Sequence, residues 1–482
     1  MSTMLLKDQV LADIVQHGGN VAQFVSFGPE GEQRFCCIRG LSPQQRFASV
    51  RDAAQAILDA GAPYVNIRSF LSDKPDGNPF FMGRRGYETA EKVAAKVAQL
   101  WAEKPYYIIL NEEVDVMDGG FSGVLFGGIA EFAAGHTPRC VDDEKVVCAT
   151  VPRWMLPGFV NAVYGTPFSI PFPQNVRVEF SVHPGPVGYL RQTQIIWQAE
   201  AMDAALAPAE EMPSWPNDFS RDFGDKGFGL FMAHLLGQNV PRTRVESRIL
   251  PRFSFGHWTG SKDVKWIRTC PRVQEPGRFT THQGWMDTFQ LVQREDPVCV
   301  ADSCVQREKG LCSNPRHRRL AGIIIQDAVD PLYSGACITD ASGEPVIEGI
   351  PGKGDAFMIG ERAGEEMPGH IRAKVRGVWE ALSAQLGPVR FEWVCDRDEA
   401  IVVVQMHRGA TSTFGDVLVA WEQEPIRWEY YRTEWGLEKF RLLCERASAE
   451  GFGIVLQTNL GVTNHFVDNL RRFRIPSRRE AA

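Results

Sequence analysis

The sequence contains no run of about 18 or more apolar residues and no low-complexity tract. A membrane-spanning helix needs about 20 largely apolar residues in succession, so no such helix is expected. Charged residues make up 23% and hydrophobic residues 44%, which are ordinary values for globular domains. These values exclude the fibrous and disordered classes, and the length of 482 residues predicts about three domains.

The sequence also lacks an excess of positive charge. Its 52 basic and 59 acidic residues give a net charge of -7, which provides no general basic field for nucleic acid. A local basic tail is formed by Arg471, Arg472, Arg474, Arg478 and Arg479. We therefore expect neither nucleic acid nor a membrane as the default partner.

Features of a secreted protein are absent as well. The segment that begins Met1-Ser2-Thr3 has no basic stretch leading into an apolar core, so a cytoplasmic location is expected. The eleven cysteines are odd in number and scattered, which fits a reducing compartment.

Four potential metal ligands lie close together in the sequence. Cys299, Cys304, Cys312 and His317 have the spacing C-x4-C-x7-C-x4-H. A structural zinc ion needs four such ligands in tetrahedral geometry, but this spacing matches no common zinc signature. The alternative, which the spacing favours, places Cys299 and Cys304 on a helix and the other two in a loop, with every thiol reduced.

Hydrophobic periodicity predicts a mixture of strands and helices. Runs rich in β-branched residues predict strands, and three-to-four spacing of apolar residues predicts helices. The predicted strands are Tyr106–Leu110, Val176–Val182, Gly322–Ile325 and Ile401–Val404, and the predicted helices are Thr89–Trp101 and Pro368–Leu386. The expected class is α/β or α+β.

Proline-rich and glycine-rich stretches suggest domain boundaries. Pro208, Pro213 and Pro216 punctuate a polar linker between Ala207 and Asn217, and a Ser/Thr/Gly-rich stretch spans 409–415. The predicted domains are 1–210, 215–412 and 416–482.

An internal repeat appears in the two larger segments. Four signals recur in the same order at offsets near 210, which indicates a duplicated lobe. The pairs are Asn66-Ile67-Arg68 with Trp266-Ile267-Arg268, Ile108–Glu112 with Ile323–Asp327, Glu179 with Glu392, and Gln198 with Gln405.

The second copy carries the polar residues expected of a nucleotide site. It begins with Gly224-Asp225-Lys226-Gly227, and a lysine flanked by glycines ahead of a helix is suited to phosphate. Further motifs follow in order: Val240-Pro241, Ile267-Arg268-Thr269, Asp287-Thr288, Gln326…Ser334-Gly335, Glu348, Glu392-Trp393 and Gln405. Through these motifs, residues from 219 onward resemble the phosphoenolpyruvate synthase and pyruvate phosphate dikinase family.

This resemblance implies an ATP-grasp-like fold that binds ATP and Mg²⁺. Lys226 and Arg268 are expected to neutralise the phosphates, with Gln326 and Glu348 as further nucleotide contacts. Glu392 and Gln405 are the expected oxygen ligands of the magnesium ion.

The C-terminal segment resembles the phosphohistidine loop of the same family. Gly461-Val462-Thr463-Asn464-His465, then Arg471 and Ile475-Pro476, match G-x-T-S-H-x5-R-x3-I-P. The resemblance implies that His465 carries a phosphoryl group, with Arg471 stabilising the charge that is transferred. The segment 416–482 is expected to be a small, truncated α/β carrier domain.

The first copy carries a weaker signal. Asn111-Glu112-Glu113, Asp118–Gly123 and His136–Cys140 place polar groups around glycine turns, as in a binding loop. No glycine-flanked lysine precedes Arg68, so this copy is expected to bind the acceptor, to be a degenerate nucleotide site, or only to complete the core.

Three functions follow as hypotheses. The first is an ATP-dependent phosphotransferase of the dikinase type that uses a phosphohistidine and a small-molecule acceptor. The second is an ATP-grasp ligase that forms an acyl phosphate, with a structural His465. The third is a nucleotide-sensing module without turnover.

Overall fold

The computed structural model divides the chain into two compact units. Unit 1 comprises Met1–Asn161 and Thr166–Pro213, and unit 2 comprises Ala162–Gly165 and Ser214–Ala482. The structure describes residues 5–82, 86–115, 120–134, 149–170, 175–203, 205, 209, 215–258, 261–273, 279–301, 304–306, 312–314, 317–409 and 411–481. Asp118, Gly119, His136–Cys140, Pro208 and Pro213 lie outside these ranges. The predicted division into three domains stays a prediction, and residues 416–482 fall within unit 2.

The first part of the chain forms two five-stranded sheets with four helices. The helices are α1 (Lys7–Gln16), α2 (Val50–Asp59), α3 (Ala90–Trp101) and α4 (Leu156–Tyr164). The strands are β1 (Phe24–Phe27), β2 (Gln33–Cys37), β3 (Val65–Phe70), β4 (Phe81–Met82), β5 (Tyr107–Glu112), β6 (Phe121–Phe126), β7 (Ile129–Ala134), β8 (Ala149–Pro152), β9 (Val176–Val187) and β10 (Gln192–Ala201).

Helices α2 and α3 cover one face of the first sheet of unit 1. In α3 the side chains of Val93, Val97 and Leu100 are buried at helical spacing, and the Thr89 side chain caps the first turn by accepting from the Lys92 amide. These apolar residues pack with α2 and with β1, β3 and β5 in one core cluster. Burial of each such side chain contributes about 1.5–3 kcal/mol, so this stripe fixes the helix on the sheet.

The second part of the chain forms three sheets. The helices are α5 (Asp218–Phe223), α6 (Asp225–Leu235), α7 (Thr288–Glu295), α8 (Asp355–Met358), α9 (Gly369–Leu386), α10 (Leu437–Glu450) and α11 (His465–Phe473). The strands are β11 (Thr243–Ser247), β12 (Phe253–Phe255), β13 (Ser261–Pro271), β14 (Thr281–Gln283), β15 (Leu320–Ala328), β16 (Tyr333–Thr339), β17 (Pro345–Pro351), β18 (Val389–Cys395), β19 (Ile401–Arg408), β20 (Val417–Val419), β21 (Trp428–Arg432), β22 (Gly453–Gln457) and β23 (Ser477–Glu480).

The repeat predicted from the sequence is confirmed by the sheet topology. Unit 1 contains sheets of order β2-β1-β5-β3-β4 and β10-β9-β6-β7-β8, whereas unit 2 contains β12-β11-β15-β13-β14 and β17-β16-β18-β19. The first sheets have the same order, and the second sheets match once unit 1's extra β8 is set aside. All neighbouring strands in these four sheets are antiparallel.

The two copies also agree in register. Arg68 pairs with Ile109 in the first copy, and Arg268 pairs with Ile324 in the second. Glu179 pairs with Gln198 next to an irregularity in the ladder, and Glu392 pairs with Gln405 next to one at the equivalent place. The equivalence therefore extends to individual side chains.

The C-terminal segment adds a small sheet of order β20-β23-β22-β21, in which β21, β22 and β23 run parallel. Helices α10 and α11 pack on it through a core that includes Phe440, Phe466 and Leu470. This is the small α/β segment that was expected.

All six predicted strands and helices are confirmed, with ends that differ by a few residues. One local prediction is wrong, because Cys299 follows the end of α7 at Glu295 and Cys304 also lies outside any helix. None of the helices in the described ranges is long and apolar enough to cross a bilayer.

Candidate nucleotide site

A cleft of about 670 Å³ lies between the first two sheets of unit 2. Three of the predicted nucleotide contacts line it: Arg268 from β13, Gln326 from β15 and Glu392 from β18. Trp266, Trp393 and Val404 add apolar surface to the same walls. The cleft thus offers cationic, amide and carboxylate groups together with aromatic rings.

Arg268 is the best-placed cation of this cleft. It is 8% exposed, and its Nη1 donates to the Val404 carbonyl at 3.1 Å. Its Nε is buried and has no hydrogen-bond partner among the described residues. Gln326 donates weakly to the same carbonyl at 3.4 Å. The guanidinium therefore keeps donor capacity for an anionic ligand.

Lys226 lies beside Arg268 in the first turn of α6 but does not line the cleft. Burial lowers the pKa of its ammonium group, the nearby Arg268 lowers it further, and Glu392 and Glu295 oppose the shift. Among the described residues Lys226 makes no salt bridge. The predicted cluster of Lys226, Arg268 and Glu392 is thus brought together.

The glycines around Lys226 have a different role from the one expected. A Cβ atom on Gly229 would lie 1.8 Å from the Met406 carbonyl oxygen, and one on Gly227 would lie 2.7 Å from the Phe223 ring. These glycines allow α6 to pack closely on β19 and α5, rather than forming a loop around phosphate. Gly224 has a φ of 94° at the start of α6, a conformation that favours glycine.

The predicted metal ligands lie directly opposite each other on β18 and β19. Glu392 and Gln405 are paired residues of an antiparallel ladder, so their side chains share one face of the sheet. Both line a second cavity of about 320 Å³, and Glu392 also lines the cleft. A carboxylate and an amide oxygen fit the preference of magnesium for hard oxygen ligands.

His407 takes part in a buried polar network beside this pair. Its Nε2 lies 3.0 Å from Gln405 Nε2, and its Nδ1 lies 3.3 Å from Asp225 Oδ2. Burial alone would raise the pKa of Asp225, but the contact with His407, aided by Arg390 and Lys226, outweighs burial and lowers it. The carboxylate of Asp225 is therefore ionised and holds the imidazole in place.

Glu348 is placed outside the cleft, in contact with the C-terminal loop. Its carboxylate accepts hydrogen bonds from the Val462 amide at 3.0 Å, the Thr463 amide at 3.0 Å and the Thr463 hydroxyl at 2.6 Å. A Cβ atom on Gly461 would lie 2.1 Å from Glu348 Oε1, so a larger residue there would displace this carboxylate from the loop. The nucleotide contact expected of Glu348 is replaced in this structure by docking of the loop.

His465 is the first residue of α11, and Asn464 caps that helix. The Nδ1 atom of His465 lies 3.6 Å from Asp468 Oδ2, which is longer than a hydrogen bond. Thr463 and Asp468 line the second cavity, together with Glu392. The predicted phosphohistidine loop therefore borders a cavity adjacent to the cleft.

Arg471 and Arg390 both contact Asp468. Arg471 donates to Asp468 at 3.2 Å, to the Thr413 hydroxyl at 2.9 Å and to the Val462 carbonyl at 2.7 Å, and Arg390 donates to Asp468 at 3.1 Å. Burial would raise the pKa of Asp468, but Arg390, His465 and Arg471 outweigh it and hold the pKa far below its usual value. Burial lowers the pKa of Arg471 to about 10.

Sequence reasoning missed several residues that line the cleft. Asp327, Lys353 and Asp355 all contribute to its walls, and Lys353 Nζ lies 3.3 Å from Gln283 Oε1. The segment Gly352-Lys353-Gly354-Asp355 has the same glycine-flanked lysine pattern as Lys226 and could have been found by that signal.

The equivalent arginine in unit 1 is hydrogen-bonded to side chains of its own copy, although its Nη2 is buried without a partner among the described residues. Arg68 is 3% exposed, and it donates to Asn111 Oδ1 and to Gln198 Oε1, both at 3.2 Å. Glu179 is 1% exposed and accepts from Arg177 at 2.6 Å. No glycine-flanked lysine precedes Arg68, but Lys7, the first residue of α1, pairs with Glu200 at 3.1 Å, and the charges of Arg68 and Glu179 act on its pKa.

No family model and no curated protein matches the chain. Solved structures that it resembles include D-cycloserine synthetase DcsG (16% identity, TM-score 0.24, 42% of this chain and 63% of that one). Another is an L-amino acid ligase from Bacillus licheniformis (13% identity, TM-score 0.21, 37% of this chain and 39% of that one). A third is VanG D-Ala:D-Ser ligase from Enterococcus faecalis (10% identity, TM-score 0.22, 38% of this chain and 51% of that one). The match covers less than two thirds of each of these proteins. At these identities and TM-scores neither their reactions nor their substrates transfer to this chain.

The chain has a mixed α/β fold. In unit 2 two antiparallel sheets flank a cleft that contains Arg268, Gln326 and Glu392. The buried donor of Arg268 and the paired oxygen groups of Glu392 and Gln405 are suited to a nucleotide phosphate and a magnesium ion.

Proposed function

We propose that this chain is an ATP-dependent ligase that binds Mg·ATP in the cleft of unit 2 and activates a carboxylate of a small-molecule acceptor. The observation that supports it most is the buried, unpartnered Nε of Arg268 in the same cleft as Gln326 and Glu392. A buried donor without a partner costs about 1–3 kcal/mol, and a phosphate oxygen would remove that cost.

Each residue has a role that follows from its chemistry. Arg268 binds phosphate oxygens through its planar guanidinium, and the Lys226 ammonium adds positive charge. Glu392 and Gln405 would hold the magnesium ion, which when bound spreads the charge that develops during phosphoryl transfer. Trp266 and Trp393 provide apolar walls that exclude water from the cleft.

The reaction proceeds in two balanced steps. An acceptor carboxylate oxygen attacks the γ-phosphorus of ATP, the bond to the bridging oxygen breaks, and ADP leaves with that electron pair. The resulting acyl phosphate is then attacked at its carbonyl carbon by a second nucleophile, and inorganic phosphate leaves. We also propose that the N-terminal repeat is the domain that binds the acceptor.

The surroundings of His465 favour the ligase over the dikinase. A phosphoryl group on His465 would bring negative charge close to the ionised Asp468, whose Oδ2 lies 3.6 Å from the imidazole. Arg471, the expected stabiliser of that charge, already donates to Asp468, Thr413 and Val462. In the ligase His465 and Arg471 hold the loop and α11 together.

A dikinase of the phosphoenolpyruvate synthase type is the second candidate. It is favoured by the position of His465 at the N-terminus of α11, where backbone amides stabilise anions. It is also favoured by the second cavity, in which Thr463 and Asp468 meet Glu392 of the cleft.

The fate of the γ-phosphoryl group distinguishes these functions. The full chain is incubated with Mg·[γ-³²P]ATP, hydroxylamine and pools of amino acids, short peptides or other carboxylic acids. The ligase predicts ADP, phosphate and a hydroxamate in at least one pool, with no acid-labile label on the protein. His465→Asn should keep this activity. AMP formation with acid-labile label that His465→Asn abolishes would establish the dikinase, and binding without turnover in every pool would contradict both.

A further inference from the structure

A second site with metal-ligating chemistry lies apart from the nucleotide cleft, in the segment between α7 and β15. Cys299, Cys304, Cys312 and His317 each direct one ligand atom to a common point, and these four atoms all lie within 4.8 Å of one another. We propose that these residues form a structural zinc site of the Cys3His type.

The distances suit a tetrahedral ion. With Zn–S bonds of about 2.3 Å, tetrahedral geometry places neighbouring ligand atoms about 3.8 Å apart. The four ligand atoms now lie within 4.8 Å of one another, so they need to move together by only about 1 Å to bind the ion. The Nδ1 atom of His317 already lies 3.3 Å from the Cys312 sulfur. Soft thiolates with one imidazole are the ligand set that selects zinc among abundant divalent ions.

The local backbone supports this arrangement. The Val300 amide donates to the His317 carbonyl at 2.9 Å, which joins the two ends of the segment. The Cys304 amide donates to the Ala301 carbonyl and the His317 amide to the Asn314 carbonyl, both at 3.1 Å. The four ligands therefore lie on a segment whose two ends are in contact.

The surroundings also provide a second layer of contacts. The Asn314 Nδ2 atom lies 3.2 Å from Nε2 of His317. With Nδ1 bound to the metal, Nε2 carries the proton, and the Asn314 amide would turn its oxygen to the ring to accept it. Arg318 donates to the Cys312 carbonyl at 3.4 Å and brings a positive charge close to the net negative charge of three thiolates and one Zn²⁺.

The site is closed and structural rather than catalytic. Four protein ligands leave no coordination position for a substrate. Along β15, Leu320 and Gln326 are six residues apart, about 20 Å, so the ion lies well away from the cleft. Asp296, at the end of α7, accepts from the Arg319 and Leu320 amides at 3.0 and 3.1 Å. The zinc site and Asp296 together anchor the start of β15.

The metal content of the full chain tests this proposal. The purified chain should contain one zinc ion, measured by mass spectrometry of the metal, and Cys304→Ser and His317→Ala should lose it. Cys37→Ser is the matched control, since Cys37 is a buried free thiol of unit 1, and it should retain the zinc. Thiol modification of the wild-type chain should release zinc with three thiols consumed per ion.

Cobalt substitution of the wild-type chain provides a readout that does not depend on the folding of any variant. Co²⁺ should give the strong visible absorption of a tetrahedral thiolate site, and zinc should displace it. A chain that purifies without zinc and gives only the weak spectrum of octahedral Co²⁺ would overturn the proposal. A disulfide between any two of the three cysteines in the freshly purified chain, or equal loss of zinc in Cys37→Ser, would overturn it as well.

Discussion

Arg68 and Arg268 occupy equivalent positions in the two copies but differ in their hydrogen bonding. Arg68 donates to two side chains, Asn111 and Gln198, that are equivalent to Gln326 and Gln405 of the second copy. Arg268 donates only to a backbone carbonyl through one of its nitrogens, and its Nε is left without a partner among the described residues. Arg68 likewise keeps one buried nitrogen, Nη2, without a partner among the described residues, so at the scale of single residues the copies differ in their acceptors: side chains in unit 1 and a backbone carbonyl in unit 2.

Removal of the Arg268 guanidinium should weaken nucleotide binding. A charge-assisted phosphate contact contributes about 1.5–3 kcal/mol, so Arg268→Ala should lower the affinity for Mg·ATP about tenfold to hundredfold. Isothermal titration calorimetry measures this change. Arg252→Ala, which removes a cation paired with Glu246 on the surface, is the control and should bind like the parent. Equal affinity in Arg268→Ala would place the phosphates elsewhere.

The lowered pKa of Lys226 predicts a pH dependence. The ammonium is charged below its folded-state pKa, which burial moves below the ordinary value of 10.5. Mg·ATP affinity should therefore fall as pH rises through that lowered pKa, at a lower pH than an ordinary lysine would show. Lys226→Arg should keep its affinity at high pH, and Lys226→Ala should show a flat, weaker profile. A parent profile identical to that of Lys226→Arg would argue against a role for this ammonium.

At the scale of secondary-structure elements, the packing of α6 on β19 sets the position of Lys226. The sequence predicted the glycine-flanked Lys226 as part of the site and assigned its glycines to phosphate binding, whereas the structure shows these glycines in helix packing. The packing role of these glycines depends on the distance between Gly229 and the Met406 carbonyl, and a local sequence pattern does not reveal such a contact. Helix positions were predicted well because apolar spacing, as in α3, reflects one buried face, and strand positions because apolar runs such as β5 and β15 are buried along nearly their whole length.

A methyl group between α6 and β19 should destabilise unit 2. Gly229→Ala places its Cβ against the backbone at Met406, and overpacking of this kind costs about 1–3 kcal/mol or more. Gly377→Ala is the matched control, because Gly377 is exposed within α9 and nothing lies near its Cβ position. It should be neutral or should stabilise by up to about 1 kcal/mol. Urea denaturation measures both, and a neutral Gly229→Ala would contradict the close packing.

At the scale of the whole molecule the chain is a duplication whose copies have diverged in their polar groups. The order of four signals in the sequence was sufficient to predict the repeat, and the sheet topology confirms it. The sequence could not show that Arg68 donates to Asn111 and Gln198, because the two copies keep the same kinds of residue in the same order while the hydrogen bonding of those residues differs. It also missed Lys7, which lacks the flanking glycines of Lys226.

The divergence predicts different effects for equivalent substitutions. Arg68→Ala leaves Asn111 and Gln198 without a buried partner, so the stability of unit 1 should fall by about 1–3 kcal/mol while Mg·ATP affinity stays unchanged. Thermal or urea unfolding and calorimetry of the same variant test both parts. Unchanged stability with lost acceptor-dependent turnover would instead assign Arg68 to the acceptor site.

The most direct test of the account is a crystal structure of the full chain with Mg²⁺ and a non-hydrolysable ATP analogue. The account predicts one nucleotide per chain, with its phosphates on Arg268 and Lys226, its metal between Glu392 and Gln405, and the side chains of Arg68, Asn111 and Gln198 still bonded to one another in unit 1. A nucleotide bound at the Arg68 constellation, or a nucleotide in unit 2 whose phosphates contact neither Arg268 nor Lys226, would contradict it.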